Sequence, residues 1–438
     1  MELTQITGRL EVIYIAFLLT NYSAALKEVI LPYIKDNYPK DKILVDQMKR
    51  NAGVTFINDE FIAPVRSSRH GGIASMATDD ANVVSASGAA FTRGTVSVKR
   101  HSGAFDISDL VMKASSSSKG AVESALQAQT RSLTDDWGRF VNRMLYSDGV
   151  GIVSKVRTTG GSVGAGTLAV EYPDSAVDDN SNGQGGTVMD WYGTINGDIS
   201  PVKYIAVGNI LGIGTGGANP GTATSVTGTS VVVTGNPAIV AGDSVYVADG
   251  SGGGAGSAEI QGVRAALSST SGTCTYAGLA RSIIGWTPSF GSASEALSLT
   301  RMENAYLTAR EYGAAGDSII ILVNKSLYRK YGDILTAMRR TVNSADLLGG
   351  FKGLEFAAGD GGVGVFLDYD VPDGEMLILN LDTWTLCQVS EMDWLSGGDG
   401  EPLLRLQSTT KYQATLVWYA NALCLAPGAN ARETRKTT

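Results

Sequence analysis

The segment that most constrains the fold is residues 54–108, a long and weakly apolar stretch that runs directly into an amphipathic helical pattern. Polar and apolar residues alternate in parts of it, for example in Thr-Val-Ser-Val at residues 95–98, as they do in β-strands. Residues 70–90 are mostly small, with too little apolar surface to form a core. The pattern predicts a long two-stranded arm with a mobile tip, and a disordered surface loop is the alternative. An isolated ribbon is only marginally stable in water, so an ordered arm needs a surface from elsewhere.

A long helix is predicted directly after the arm, over residues 120–146. Its apolar residues recur mostly at steps of three, four and seven: Val122, Leu126, Leu133, Trp137, Phe140, Val141, Met144 and Leu145. Such a helix would form a rod of about 40 Å, and Asp148-Gly149 supplies a stop signal. Taken alone, the pattern also fits an ordinary core helix. The length and the position after the arm favour a structural rod.

The remaining chain mixes helical and strand patterns. Residues 10–31 predict a helix that ends at Pro32. Many of the 54 glycines lie between residues 158 and 291, which indicates numerous tight turns. Within that region, residues 198–290 contain short β patterns and no helical pattern, so a small β-sandwich or barrel is predicted.

Two helices and a buried strand are predicted further along the chain. Ser292 and Glu295 have the spacing of a capping box, and Gly313 is suited to end the helix that they would begin. Residues 318–323 have the composition of a fully buried strand, and residues 325–341 have a helical pattern. Strand patterns follow at residues 365–381 and 411–421.

Composition describes an ordered globular protein. The 438 residues are 43% hydrophobic and 18% charged, and the length allows about two to four domains. The net charge of -8 repels phosphate and argues against a dedicated nucleic-acid-binding protein. Local basic residues are interpreted as solvated surface or contacts between subunits: Lys49, Arg50, Lys99, Arg100, Arg339, Arg340, Arg432, Arg435 and Lys436.

The cysteines and the N-terminal apolar run indicate a protein made in the cytoplasm. Cys274, Cys387 and Cys424 lie far apart without metal-ligand spacing, so neither a disulfide framework nor a zinc site is predicted. The apolar run at residues 12–19 is too short to cross a bilayer and lacks the flanks of a secretory signal.

No catalytic, cofactor or metal site is predicted. Gly359, Gly361 and Gly364 have G-x-G-x-x-G spacing, but a strand pattern follows where a dinucleotide site requires a helix. His70 and His101 both fall in the predicted arm, which is a poor platform for a rigidly held catalytic base.

Two carboxylates have a spacing that could suit a metal or an acid–base pair. Asp368 and Asp370 would face the same side of a strand. A calcium loop is excluded because Pro372 and Asp373 occupy positions that require a ligand and a glycine. Pro-Asp-Gly at residues 372–374 is ordinary turn chemistry, which favours a structural role for the carboxylates.

The order of these parts resembles the major capsid proteins of tailed bacteriophages. The resemblance rests on the N-terminal helix, the arm, the long helix and a mixed domain that ends in strands. It includes the local sequences Asp368-Tyr-Asp-Val-Pro-Asp-Gly-Glu375, Asp393-Trp394 and residues 412–424. It covers most of the chain, with residues 198–290 as an insertion, and lies in architecture more than in a fixed motif. Encapsulins share this fold.

The resemblance implies an α+β protein with the phage major capsid protein fold. This fold has an extended arm called the E-loop, a long spine helix, axial and peripheral domains and, here, an inserted β-rich module. The implied ranges are an N-terminal arm and helix at 1–50, the E-loop at 51–110, the peripheral domain with the spine helix at 111–197, the inserted module at 198–290, the axial domain at 291–400, and returning peripheral strands with the C-terminal tail at 401–438.

The resemblance also implies a structural protein, not an enzyme, that self-assembles into an icosahedral shell around double-stranded DNA in the virion. The implied partners are other copies of the chain as hexamers and pentamers, a portal, scaffolding or decoration proteins, and the enclosed DNA through weak contact, with no membrane. The short stretch before residue 54 favours a separate scaffolding protein or none. An encapsulin-like compartment and a β-rich tail or glycan-binding protein are the alternatives.

Overall fold

The described part of the chain forms two compact units. The computed structural model describes residues 43–75, 85, 87–109, 119–156, 167–171, 204–205, 207–214, 219–227, 230–234, 243–247, 259–268, 275–283, 285–313, 318–337, 344–347, 351–358, 361–396 and 403–438. The first unit comprises Met1–Asp46, Arg100–Val141 and Val389–Tyr419, and the second comprises Gln47–Lys99, Asn142–Gln388 and Ala420–Thr438. The helix predicted at residues 10–31 lies outside the described residues.

Helices are few and strands are many among the described residues. The α-helices are α1 (Ile43–Gln47), α2 (Lys119–Tyr146), α3 (Val263–Ala266), α4 (Leu299–Glu311) and α5 (Lys325–Ala337), and two 3-10 turns cover Leu381–Thr383 and Pro427–Ala429. The strands up to the end of the Gly-rich region are β1 (Lys49–Arg50), β2 (Thr55–Ile57), β3 (Glu60–Arg66), β4 (Phe91–Ser97), β5 (Lys99–Ser108), β6 (Ile152–Val156), β7 (Thr167–Glu171), β8 (Ile210–Ile213), β9 (Asn219–Thr227), β10 (Ser230–Val233), β11 (Ser244–Val247), β12 (Thr275–Tyr276), β13 (Leu279–Ala280) and β14 (Ser289–Gly291). The later strands are β15 (Glu295–Ala296), β16 (Ile319–Val323), β17 (Ser344–Leu347), β18 (Phe351–Ala358), β19 (Gly361–Leu367), β20 (Met376–Asn380), β21 (Trp384–Gln388), β22 (Asp393–Trp394), β23 (Leu403–Arg405), β24 (Lys411–Cys424), β25 (Ala431–Glu433) and β26 (Lys436–Thr437).

The predicted arm is an antiparallel ribbon in the second unit. Strands β3 and β4 pair from Glu60 with Ser97 to Arg66 with Phe91, and β2 pairs with the outer edge of β3. This pairing confirms the two predicted strands and excludes the loop alternative for both, and β2 adds a third strand that was not predicted. The prediction was wrong about the last part of the segment, because β5 pairs with β24 in a different sheet. Residues 76–84 and 86 of the predicted mobile tip lie outside the described residues.

A closed β-barrel occupies part of the Gly-rich region, as one of the two predicted architectures. Its strand order is β10-β7-β6-β11-β8-β9, and each described pair is antiparallel. Apolar side chains fill its interior, among them Val153, Leu211, Ile213, Val231 and Val245. Two of its strands, β6 and β7, lie before residue 198, where the module was predicted to begin. The short helix α3 also lies in a range for which no helix was predicted.

A seven-stranded mixed sheet carries the main core of the second unit. Its order is β14-β25-β20-β16-β19-β18-β17, with β16 parallel to β19 and antiparallel to β20. All five residues of β16 are buried, as its composition predicted. Helices α4 and α5 pack on this sheet through a core that includes Met302, Tyr306, Ile321, Leu327, Tyr331, Val365 and Ile378.

Helix α5 begins at Lys325 as predicted, whereas α4 begins later than its capping signal indicated. Ser298, not Ser292, is the N-cap, and its hydroxyl accepts a hydrogen bond from the Arg301 N–H at 3.3 Å. Glu295 lies in the short strand β15, so the capping-box spacing was coincidental. Gly313 follows the end of α4 with a φ of 91°, as its predicted role in ending the helix requires.

The long helix predicted after the arm is present as α2, with 28 residues. Trp137 and Val141 are buried in the first unit, and Met144 and Leu145 in the second. In the first unit, the early part of β24 pairs with β22 and β23. None of the helices in the described residues is apolar over a length that would cross a membrane.

The C-terminal residues are buried strands of the second unit, which corrects their interpretation as solvated surface. Strand β25 lies between β14 and β20, and β26 pairs with β15. Arg432 is fully buried and forms a two-pronged ion pair with Glu375, at 2.9 and 2.6 Å. The buried ammonium group of Lys436 lies 2.9 Å from Glu295 and 3.3 Å from Glu433. Tertiary pairing partners therefore satisfy these charges.

Candidate assembly interface

The arm has one packed face and one open face. On β3, Phe61, Ala63 and Val65 are buried while their neighbours are more exposed, and on β4 Val96 is buried between more exposed residues. Successive side chains of a strand point to opposite faces, so this alternation separates the two faces of the ribbon. The arm therefore rests on its own chain along one side only.

The packed face meets the β12–β13 hairpin. The Thr95 N–H donates a hydrogen bond to the Ala277 carbonyl at 2.9 Å. Gly94 lies close to the same hairpin, because a Cβ placed there would be 3.7 Å from Ala277 and from Leu279. Ala277 and Gly278 both have left-handed backbone, with φ of 51° and 74°, as a tight two-residue hairpin turn requires. This hairpin supplies part of the surface that the arm was predicted to need.

Large apolar side chains remain exposed on the arm. Phe56 is 43% exposed, Ile57 49%, Ile73 82% and Phe91 72%. A single exposed apolar residue is ordinary on a protein surface. Ile57 and Phe91 pair with the exposed Glu60 and Arg66 and so lie on the open face, whereas Phe56 pairs with the buried Phe61. Several exposed apolar side chains on one segment indicate a surface that another molecule covers.

Asp368 and Asp370 lie together in a buried polar cluster of the second unit. The Asn142 side-chain amide donates to Asp370 at 2.7 Å and approaches both carboxylate oxygens of Asp368 at 3.3 Å. The Tyr146 hydroxyl donates to Asp368 at 2.9 Å, and the Tyr204 hydroxyl donates to Asp370 at 2.8 Å. The predicted strand position was wrong, because both carboxylates lie in the connection after β19. They join the end of α2 to that connection.

The electrostatic setting of Asp368 is that of a buried acid. Burial raises the pKa of its carboxyl group, and the negative charge of Asp370 raises it further. Hydrogen bonds from the Asp370 N–H, from Tyr146 and from Asn142 act in the opposite direction. Because both carboxylates are buried under protein groups, the arrangement supports the structural role that the sequence favoured over an acid–base site.

The Pro-Asp-Gly turn is structural as well. The Asp373 carboxylate accepts hydrogen bonds from the Asn324 amide at 2.6 Å and from the Ser326 hydroxyl at 3.0 Å. The Asn324 side chain in turn accepts a bond from the Leu327 N–H in the first turn of α5. Gly374 has a φ of 72°, which a glycine adopts without strain. The turn thus fixes the start of α5.

The histidines occupy separate places, and the structure brings neither into a catalytic arrangement within the described residues. His70 is exposed beyond the end of β3, and its Nδ1 accepts a bond from the Gly72 N–H at 3.1 Å. The prediction placed His101 on the arm, but the structure places it on β5. It is buried in the first unit, with ring centroids 6.4 Å from Phe140 and 6.0 Å from Trp418.

The remaining sequence candidates are also accounted for by structure. Gly361 and Gly364 lie in strand β19, so the glycine spacing has a strand where a dinucleotide site requires the start of a helix. Cys387 and Cys424 are free and buried, and burial raises the pKa of both thiols to about 12. Cys274 lies outside the described residues. Within the described ranges, no group of three or more His, Cys, Asp or Glu residues is placed to hold a metal ion.

Sequence reasoning missed the residues that anchor the arm and the acidic cluster. Ala277 lies far from Thr95 in sequence, and Asn142 lies far from Asp368 and Asp370. The apolar residues on either side of Ala277-Gly278 could have indicated a hairpin, but no local signal identifies the strand that it contacts. The polar positions on the otherwise apolar end of α2 could have marked Asn142.

Neither a protein-family model nor a curated protein sequence matches the chain. Among solved structures, the chain is similar to the capsid asymmetric unit of cyanophage A-1(L), with 13% identity, 90% of this chain and 93% of that chain covered, and a TM-score of 0.49. It is similar to the capsid of Myoviridae phage XM1, with 9% identity, 88% of each chain covered and a TM-score of 0.38. It is also similar to the SrpI encapsulin of Synechococcus elongatus PCC 7942, with 14% identity, 34% of this chain and 52% of that chain covered, and a TM-score of 0.26. Over about nine tenths of its length, the chain is thus similar to solved phage capsid structures.

Proposed function

We propose that the protein is a major capsid protein, a structural subunit that self-assembles into an icosahedral shell around double-stranded DNA. The observation that carries the proposal is the arm, whose one face packs on its own chain while Ile57, Ile73 and Phe91 stay exposed elsewhere on it. The proposed occupant of this exposed surface is a second copy of the chain. A shell of identical subunits provides every arm with such a neighbour.

The exposed residues of the arm are sufficient to contribute materially to association. Covering a large apolar side chain such as Phe91 contributes about 1.5–3 kcal/mol when it becomes fully buried. An unpaired strand edge on the ribbon can also add backbone hydrogen bonds to a neighbouring chain. Many weak contacts of this kind, repeated over a closed shell, give a stable assembly from individually modest interfaces.

The proposal assigns parts of the fold to the parts of a capsid subunit. Strands β3 and β4 are the E-loop, and α2 is the spine of the peripheral domain. The seven-stranded sheet with α4 and α5 is the axial domain. The barrel is the inserted module, although its strand pairing begins at Ile152. The last strands of the chain are assigned to the sheets in which they pair.

The proposed setting is the virion, with synthesis in the host cytoplasm. The net charge of -8 supports only weak contact with enclosed DNA, because an acidic wall does not hold phosphate strongly. The proposed partners are other copies of the chain in hexamers and pentamers, a portal, and scaffolding or decoration proteins. No catalytic role and no membrane contact are part of the proposal.

Electron microscopy of the purified chain, combined with a pair of substitutions, tests the proposal. We expect closed shells or capsomers from the wild type and a loss of about tenfold or more in assembled material for Phe91→Ser, since one buried aromatic side chain contributes on that scale. The matched control is Val207→Ser, which removes an apolar side chain that is 65% exposed just before β8 in the second unit. Wild-type assembly by Phe91→Ser, or the absence of any closed particle from the wild type, would overturn the proposal.

The encapsulin-like alternative is separated by the contents of native particles. Double-stranded DNA inside them supports a capsid, whereas a packaged cargo enzyme without DNA supports a compartment. Open tubes, or glycan binding by an unassembled chain, would instead favour the tail or glycan-binding alternative.

A further inference from the structure

The two ends of the arm meet neighbouring positions on one pair of strands. Asn51 lies just before the arm and contacts Gln388 of β21, while Ser97 ends β4 and contacts Asn421 of β24. In the β21–β24 ladder, Gln388 pairs with Ala420, and the next pair joins Cys387 to Asn421. Both ends of the arm are therefore held at adjacent rungs of the same ladder, within the second unit.

At the first end, the Asn51 side chain makes the two hydrogen bonds to the Gln388 backbone that a neighbouring strand would otherwise make. Its amide nitrogen donates to the Gln388 carbonyl at 2.9 Å, and its amide oxygen accepts from the Gln388 N–H at 2.7 Å. Its own N–H donates to the Leu386 carbonyl at 3.0 Å. The backbone of Asn51 turns into the left-handed region, with a φ of 51°, so the main chain leaves the ladder there while the side chain continues it.

At the second end, the Asn421 side chain holds the last residue of β4. Its amide nitrogen donates to the Ser97 carbonyl at 2.7 Å, and its amide oxygen accepts from the Gln261 and Ala422 N–H groups at 2.9 Å. Asn421 is fully buried. An amide carries both a donor and an acceptor without a charge, which is what this position requires. A carboxylate of the same shape would turn an acceptor toward the Ser97 carbonyl.

We propose that Asn51 and Asn421 are positioning residues that set the direction in which the arm projects. The Thr95–Ala277 hydrogen bond holds the arm at a third point, on the edge of β4 away from β3, and three separated points fix the orientation of a rigid segment. An arm held in its binding orientation loses less conformational entropy when it meets its partner. This inference rests on the proposed function, since it takes the arm to be the element that contacts a second copy.

Two pairs of matched substitutions test the inference. Asn51→Gly keeps the left-handed backbone and removes both side-chain bonds to Gln388. Its control is Asn58→Gly, which makes the same change at another left-handed residue, with a φ of 50°, in the β2–β3 turn. Asn421→Asp removes the donor to Ser97. Its control is Asn430→Asp, at a fully buried asparagine whose side chain bonds within the same unit away from the arm.

The measurement is the distance between a spin label at Arg93→Cys on β4 and one at Glu303→Cys on α4, in the full-length chain before assembly. Both sites are exposed, and Cys274 is replaced by serine in every variant. We expect Asn51→Gly and Asn421→Asp to broaden the distance distribution and to slow assembly by about fivefold, the scale of one or two lost hydrogen bonds, while both controls retain the wild-type distribution.

Distance distributions that match the controls for both variants would overturn the inference. If Asn421→Asp does not fold, the exposed site of Asn51→Gly still decides the question through its own control. The distance measurement needs no assembled particle, so it is independent of the proposed function. Normal assembly by Phe91→Ser would count against the proposed function, whereas unchanged arm distances in Asn51→Gly would count against the positioning role.

Discussion

Among single residues, the buried pair Asp368 and Asp370 shows most clearly the difference between what local sequence predicts and what tertiary packing determines. Two carboxylates separated by one residue predict that both face the same side of a strand, whereas both lie in the connection after β19. Their donors come from Asn142, Tyr146 and Tyr204, which lie far away along the chain. Only packing brings these groups together. The pair could be proposed from sequence, but its role as a buried connection could not.

The pH dependence of stability provides a test of the environment of Asp368. Its pKa is raised in the folded protein, so the folded state binds this proton more tightly than the unfolded state does. The resulting stabilisation is complete below the ordinary carboxyl pKa of 3.8 and is lost as the pH rises through the raised pKa. Asp368→Asn keeps an oxygen acceptor and removes the titration. Its free energy of unfolding relative to the wild type should therefore increase as the pH rises above about 4.

Urea unfolding of both proteins across that pH range is the measurement for Asp368→Asn. Comparing the variant with the wild type at each pH cancels the titration of groups that the two proteins share, as long as those groups are unaffected by the substitution. A difference that stays constant with pH would contradict the raised pKa. A difference that falls with rising pH would mean that the carboxylate is stabilised in the folded state.

Among whole elements, a local apolar pattern was sufficient where it is long or where every residue of the element is buried. The 28 residues of α2, the start of α5 and the buried strand β16 all follow from their apolar patterns. The short strands β15, β25 and β26 could not be predicted from an apolar pattern. Their pairing partners lie more than a hundred residues away or are themselves only two or three residues long. From sequence alone, the charged tail that contains Arg432 is interpreted as surface, because nothing local identifies Glu375 as its buried partner.

The start of α4 gives a test at the level of one element. The Ser298 hydroxyl caps the helix by accepting a bond from the Arg301 N–H, whereas Ser292 only has the sequence spacing of a cap. Ser298→Ala should lower the free energy of unfolding by about 1 kcal/mol, the usual value of an N-cap. Ser292→Ala is the matched control and should cost less. Thermal and denaturant unfolding of both variants check the prediction, and an equal or larger loss for Ser292→Ala would contradict it.

For the whole molecule, the arm separates the requirements of folding from those of assembly. Its packed face, with Phe61, Val65 and Val96, belongs to the core of the second unit, so substitutions there change folding and assembly together. The segment beyond the last strand pair differs. Between residues 71 and 89, each described residue is exposed or half-buried. Removing this segment should therefore cost the subunit little stability while removing contacts that only a neighbour would make.

Deletion of residues 71–89 tests that separation. The Ser67 N–H donates to the Ala90 carbonyl at 2.9 Å, and the Ala90 N–H donates to the Ser68 hydroxyl at 2.9 Å. Joining His70 to Ala90 leaves five residues, 67–70 and 90, between the last strand pair Arg66 and Phe91, which is a length that hairpins accept. The deleted subunit should therefore fold with a wild-type unfolding midpoint. Its assembly should fall by about tenfold or more, since burial of Ile73 alone contributes about 1.5–3 kcal/mol.

Sedimentation of assembled and unassembled material, beside thermal unfolding of the subunit, measures both effects of the deletion. The matched control replaces residues 71–89 by a Gly-Ser chain of equal length, which keeps the span and removes the side chains. Loss of assembly in both variants assigns the contact to side chains, because the control restores only the length. Loss of assembly in the deletion alone would mean that the length of the segment, and not its side chains, is what the contact requires. Wild-type assembly by both would show that the segment makes no contact between subunits, and the proposed role of the arm tip would be wrong.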